Sequence, residues 1–193
     1  MAVRRSVVIA IGALLLSAMA ADAAEDACAH GSGDIAIAAC TKDIESGRFR
    51  GHTLAIKYNN RGVLWSAQKE YDRALTDYGD AIRVDPRYSD AYYNRCVAYN
   101  RKQFFDSAVG SCDDAIKLGP DKNALNAAGD ARLSPERSKS DYFTQRGIAY
   151  HGKQDFDHAI ADYDEAIRLD PNNTAASNNR ARATVAKTPP AKQ

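Results

Sequence analysis

No stretch of this 193-residue sequence is apolar for long enough to cross a bilayer as a helix. The best candidate, Val7 to Leu16, falls well short of the roughly 20 residues that a span requires. An excess of one charge is also missing: 26 Lys and Arg stand against 25 Asp and Glu, a net of +1. A polyphosphate is held through many lysine and arginine contacts, so this balance argues against a nucleic-acid partner. There are only four histidines and four cysteines. They form no H-E-x-x-H and no C-x-x-C, which leaves no metal site to predict. No G-x-S-x-G, phosphate-binding loop or dinucleotide fingerprint occurs. Asp170-Pro-Asn-Asn173 lacks the alternating acids and closing Glu of a calcium loop. The expectation is a chain with no catalytic residue, no metal and no cofactor. Disorder is excluded as well, because 45% hydrophobic and 26% charged residues is the composition of a chain that folds.

What is present begins at the N-terminus. Met1-Ala-Val-Arg4-Arg5 precedes the apolar run, and Ser17-Ala18-Met19-Ala20 follows it. A positive segment, a short apolar segment and a small-residue site are the three parts of a secretory signal peptide. The pattern predicts a signal over residues 1–20, cleaved after Ala20, with cleavage after Ala23 as a second option. Its removal takes away Arg4 and Arg5 and no acid, which turns the net charge to −1. The expected location is periplasmic or secreted, where cysteines pair and where no membrane segment remains after cleavage.

Self-similarity is the stronger signal. Tyr58-Asn-Asn-Arg61-Gly62-Val63, Tyr92-Tyr-Asn-Arg95-Cys96-Val97, Phe143-Thr-Gln-Arg146-Gly147-Ile148 and Ser177-Asn-Asn-Arg180-Ala181 align without gaps. Their arginines are 34, 51 and 34 residues apart. A second block recurs in step, running from Tyr71, Phe105 and Phe156 to Pro86, Pro120 and Pro171. Its apolar residues fall on one helical stripe, as with Phe156, Ala159, Ile160, Tyr163, Ala166 and Ile167. The prolines end each block, because proline cannot continue a helix. Each unit is predicted to be two amphipathic helices joined by a tight turn. A lone pair cannot bury its stripes, so the pairs must stack.

Unit one (55–88) carries Tyr58, Gly62, Trp65, Ala74, Tyr78, Ala81 and Pro86. Unit two (89–122) carries Tyr92, Cys96, Tyr99, Ala108, Cys112, Ala115 and Pro120 at the same places. Unit three (140–173) carries Phe143, Gly147, Tyr150, Ala159, Tyr163, Ala166 and Pro171. This pattern resembles the tetratricopeptide repeat. The resemblance implies an all-α, right-handed superhelical solenoid of antiparallel helix pairs. Its small residues would let paired helices approach, and its aromatics would fill the core rather than stack nucleic-acid bases. Residues 26–50 read as a degenerate first unit, 174–187 as a capping helix and 188–193 as a disordered tail. The 51-residue step leaves an insertion, 123–139. Within it, Ser134-Pro135-Glu136 is a helix start signal. The first helix of unit three should begin near Pro135 and run about a turn longer than its counterparts, after a surface loop or short helix over 123–133.

The cysteines follow from the register. Units one and three pair Gly62 with Tyr78 and Gly147 with Tyr163, whereas unit two has Cys96 and Cys112 there. Each cysteine is eight residues from Phe104 at the turn, which puts both at one height on facing helices. Cys40 matches Cys112, and Cys28 precedes it. Disulfides Cys28–Cys40 and Cys96–Cys112 are expected.

In proteins of this family the first helices line a concave groove that receives peptides, and carrying that over by position defines a candidate site. Unit one offers Asn59, Asn60, Val63 and Ser66. Unit two offers Tyr93, Asn94, Val97, Asn100 and Arg101. Unit three offers Thr144, Gln145, Ile148 and His151, and the cap adds Asn178, Asn179 and Arg182. An Asn side chain can pair with the backbone of an extended peptide whatever its sequence, or it can simply cap and solvate the wall. The subfamily that clamps C-terminal carboxylates of heat-shock chaperones needs a Lys and an Asn where this chain has Asn59 and Val63. The repeated arginines, with Asp77 and Asp162 on the second helices, read as an inter-helix charge ladder. The function expected is a non-enzymatic scaffold of the bacterial periplasm that binds a protein or peptide partner. A structural subunit of an envelope or outer-membrane assembly is the alternative. Oligomeric state is left open.

Overall fold

A computed structural model describes residues 27–120 and 135–188. The signal segment, the 123–133 part of the insertion and the tail residues 189–193 lie outside the described residues. After a helical turn over 27–30 the described chain forms eight helices: α1 (Gly33–Glu45), α2 (Gly51–Ala67), α3 (Tyr71–Val84), α4 (Ser89–Arg101), α5 (Phe105–Leu118), α6 (Pro135–Gly152), α7 (Phe156–Leu169) and α8 (Thr174–Lys187). α6 begins at Pro135 and has 18 residues. It is a turn longer than the 13-residue α4 but only one residue longer than the 17-residue α2. The expected excess over both counterparts is therefore found against one alone, because α2 also starts early, at Gly51.

The tight turns are closed by backbone geometry. Lys69, Gln103 and Gln154 hold the same turn position and all have left-handed φ, between 62° and 64°. The next residue's amide then reaches back five residues: Glu70 to Trp65 O, Phe104 to Tyr99 O and Asp155 to Tyr150 O, each 2.9 Å. This is the helix-ending motif usually built on glycine, made here three times by side chains with a Cβ.

Two kinds of small residue set the packing. Ala74, Ala81, Ala108, Ala115, Ala159 and Ala166 are fully buried on the outer helices. Gly62 and Gly147 sit against the rings of Tyr78 and Tyr163; a Cβ on either glycine would lie 2.6 Å from the tyrosine Cε1. Each hairpin then packs on the next, α3 on α4, α5 on α6 and α7 on α8. Along one side α2, α4, α6 and α8 also touch in sequence, whereas α3, α5 and α7 do not touch one another. A row of helices in contact on one side and splayed on the other is a curved scaffold, an all-helical solenoid whose inner wall is α2, α4, α6 and α8.

Both expected disulfides are present. Cys28–Cys40 ties the N-terminal turn to α1 with a Cα–Cα distance of 4.7 Å, and Cys96–Cys112 ties α4 to α5 at 5.4 Å. There is no free cysteine among the described residues. No helix is long and apolar enough to cross a membrane among the described residues.

Candidate functional site: the inner wall

Equal spacing along the inner helices lines up equal side chains. Asn60, Asn94, Gln145 and Asn179 share one register and form a row of carboxamides across α2, α4, α6 and α8. One turn further along, Val63, Val97 and Ile148 form an aliphatic row, which Arg182 completes on α8. Val63 is 44% exposed, while Val97 and Ile148 are half-buried. Arg101 and Asn178 are exposed, and Asn179 is half-buried.

The wall is partly spent on itself. Asn59 is buried and accepts a 2.9 Å hydrogen bond from Asn94 Nδ2, which links α2 to α4. Asn59 is thus not a groove residue, contrary to the sequence expectation. It lies 100° around the helix from Asn60, far enough to face the neighbouring helix instead of the opening. Asn100 Nδ2 donates to the Gln145 backbone carbonyl at 2.9 Å and to Gln145 Oε1 at 3.2 Å, which links α4 to α6. Thr144 is also withdrawn: it is buried, donates to Ser140 O at 2.8 Å and accepts from Asn173 Nδ2 at 3.0 Å. His151 packs edge-on against Phe156, with ring centroids 5.3 Å apart. Asn60 makes no side-chain hydrogen bond among the described residues.

Tyr93 is held by a partner the sequence reading missed. Its ring lies 5.0 Å from that of Tyr142, which is buried and donates to Asp90 Oδ1 at 3.3 Å. Burial, with the acids Asp141 and Asp90 nearby, pushes the Tyr93 phenol up to about 12. Lys57 was missed as well. It is buried on α2, its Nζ 2.8 Å from Asp43 Oδ2 and 4.8 Å from the Phe49 ring centroid. Asp43, an acid on the otherwise apolar stripe of α1, was the available clue.

The arginine row belongs to the scaffold. Arg61 donates to Asp77 through Nε (2.9 Å) and Nη2 (2.7 Å), and Arg146 holds Asp162 with the same two distances. Hydrogen bonds to Asp162 and Asp113 hold the Arg146 guanidinium above its ordinary range, against the opposing effect of burial. These forked pairs clamp inner to outer helices. On the inner wall, the two places a chaperone-carboxylate clamp would use hold the buried Asn59 and the apolar Val63. Neither supplies a cation. No cluster of three or more His, Cys, Asp or Glu that could hold a metal exists among the described residues.

A curved array of helix pairs with a hydrogen-bonding and aliphatic inner wall is a helical-repeat interaction scaffold. Family models agree on which kind: the tetratricopeptide repeat matches residues 140–173, and a TPR repeat model matches residues 67–103. At these two places the chain carries tetratricopeptide repeats. It is 25% identical over 133 residues to the Hsp70-Hsp90 organizing protein of Triticum aestivum. That stretch is 68% of this chain but only 20% of the relative, so the chain spans about a fifth of that protein's length. The first TPR of Spaghetti (RPAP3), bound to the HSP90 peptide SRMEEVD, superposes with a TM-score of 0.60 at 26% identity, covering 73% of this chain and 98% of that one. The second TPR domain of human RPAP3, in complex with the HSP70 peptide SGPTIEEVD, gives 0.58 at 26% identity, with 69% and 97% covered. MamA RS-1, at 14% identity, shares the fold with a TM-score of 0.69 over 87% of this chain and 83% of its own.

Proposed function

We propose that this chain is an exported, non-enzymatic scaffold that binds an extended and largely neutral protein segment on its inner wall. The observation that carries the reading is the pair of in-register rows, Asn60, Asn94, Gln145 and Asn179 beside Val63, Val97 and Ile148. The carboxamides would pair with the peptide backbone and the aliphatics would take its apolar side chains. The related domains bind peptides ending in EEVD. Those peptides are acidic, and among the candidate wall residues only Arg101 and Arg182 are cationic, so the same ligand is not expected here. Export into the bacterial periplasm is supported by the n-region, apolar segment and small-residue site, and by the two disulfides.

The test is a photo-crosslinking residue placed at Val63 and, as control, at Gly110 on the outer face of α5. Screened against displayed peptides, the Val63 position should capture neutral, apolar-rich segments, and Asn60→Ala should weaken that capture. Preferential capture of an acidic SRMEEVD-type peptide, or equal capture from Gly110, would overturn the reading. For export, the protein recovered from the cell envelope should begin at Ala21 or Ala24; an intact Met1 would contradict it.

A further inference from the structure

Two of the arginines of the row, Arg61 and Arg146, each reach two places: the outer helix of their own hairpin, sixteen residues on, and the outer helix of the hairpin before. Arg61 finds Asp77 and, at 3.1 Å, Thr41 Oγ1. Arg146 finds Asp162 and, at 2.6 Å, Asp113 Oδ1. Arg180, with no outer helix after it among the described residues, pairs with Asp164 of the preceding hairpin. For Arg95 the first place holds Ser111, and the position equivalent to Asp113 in the preceding hairpin is Gly79. Arg95 Nε donates to Ser111 Oγ at 3.0 Å, and the nearest carboxylate, the half-exposed Asp114, stays 3.8 Å from Nη2. The side chain is 24% exposed, close to the 19% and 21% of Arg61 and Arg146, yet its terminal nitrogens have no carboxylate at hydrogen-bond distance among the described residues.

The disulfide accounts for half of this. With α4 and α5 joined by Cys96–Cys112, the hairpin does not need an Arg–Asp clamp, and Ser111 suffices. It does not account for Gly79, which lies on α3, in the preceding hairpin. A glycine inside a helix costs about 1 kcal/mol relative to alanine, and a Cβ there would meet nothing within 4 Å. The position from which Asp113 reaches Arg146 is Gly79 on α3, so that position supplies no side chain beside Arg95, and the backbones of α3 and α5 are not packed on one another. Tyr92, half-buried, packs its ring 5.2 Å from the Arg95 guanidinium carbon.

We propose that Arg95, with Ser111 and Tyr92, is an acceptor for an acidic side chain of a protein partner, in the cleft between α3 and α5 on the outer side of the solenoid. A carboxylate entering over Gly79 takes the forked geometry that Asp162 gives Arg146. Tyrosine and arginine are both enriched among the residues that anchor protein interfaces. The site is separate from the inner wall and does not depend on what binds there.

The experiment follows the side-chain Nε–H signals of Arg61, Arg95 and Arg146 by nitrogen-15 NMR while acetyl-tetraglutamate amide is added, with acetyl-tetraglutamine amide as control. A saturable shift at Arg95, absent at the other two arginines and absent with the glutamine peptide, is expected. Ser111→Asp, which rebuilds the clamp of the neighbouring hairpins, should weaken that binding at least tenfold while raising Tm. Arg95→Gln should abolish it, and Asn60→Ala on the inner wall should leave it unchanged. Equal shifts at all three arginines, no shift at Arg95, or undiminished binding by Ser111→Asp would each overturn the proposal.

Discussion

Cys96 on α4 and Cys112 on α5 stand where the flanking hairpins set Gly62 against Tyr78 and Gly147 against Tyr163, and their Cα atoms lie 5.4 Å apart. Two medium side chains joined by a bond replace a void and a ring. The bond closes a loop with a sequence separation of 16, which the chain-entropy model makes worth roughly 3 kcal/mol. C96S/C112S should lose about that much stability in urea unfolding. C96G/C112Y, which restores the neighbouring arrangement, should recover most of it. Equal losses in the two variants would mean that the bond, and not the volume, is what the middle hairpin requires.

The same contact makes two glycines irreplaceable and leaves a third dispensable. Gly62→Ala and Gly147→Ala force a Cβ to within 2.6 Å of a buried ring and should each cost about 1–3 kcal/mol. Gly110 on α5 has open space around it, and Gly110→Ala should stabilise by about 0.5–1 kcal/mol through helix propensity alone. Thermal unfolding of the three variants separates the cases.

Asp162 and Ser111 occupy equivalent places with unequal roles. Asp162→Ala leaves the part-buried Arg146 without its forked partner and should cost about 3 kcal/mol. Ser111→Ala removes one hydrogen bond across helices already tied by a disulfide, and should cost about 1 kcal/mol or less. Chemical denaturation of both variants in oxidising buffer provides the comparison.

Alkaline pH should unfold the chain through its phenols. Burial raises the Tyr78, Tyr142 and Tyr163 phenols well above their ordinary value of 10.0 and pushes Tyr93 up to about 12. A folded state that keeps these protons while the unfolded chain releases them is stabilised fully below pH 10. That stability is lost as pH rises through 10 toward 12. Ultraviolet titration should show these tyrosines ionising late and together with loss of helicity. A set of ten titrating independently near 10 would contradict the burial.

Asn59 and Asn60 are neighbours with opposite expected phenotypes. Asn59→Ala leaves Asn94 Nδ2 without its acceptor and should destabilise by about 1–2 kcal/mol. Asn60→Ala should leave stability within about 0.5 kcal/mol and show its effect only in peptide capture. Circular dichroism melts paired with the crosslinking assay distinguish them.

That pair marks how far the sequence could be read. The helices, their pairing and both disulfides were visible because a 34-residue period repeats the same physical choices, and each copy corroborates the others. The arginine clamp was legible for the same reason, since Asp77 and Asp162 recur sixteen residues after Arg61 and Arg146. Register names the face of a helix only coarsely, however, and Asn59 and Asn60 fit the groove equally well on paper. Tyr142 and Lys57 escaped notice because they occupy a position that is alanine in unit two, at Ala91. No repeated letter pointed to them.

The order of apolar, small and helix-ending residues along the chain was sufficient to dictate the hairpins and their stacking, because those depend on contacts repeated at fixed intervals. Which carboxamides face outward, which are consumed between helices and which arginine is left without a close carboxylate depended on residues 16 to 45 positions apart meeting across neighbouring hairpins. Only the packed solenoid brings those partners within hydrogen-bond distance, so only the tertiary structure could separate binding surface from scaffold.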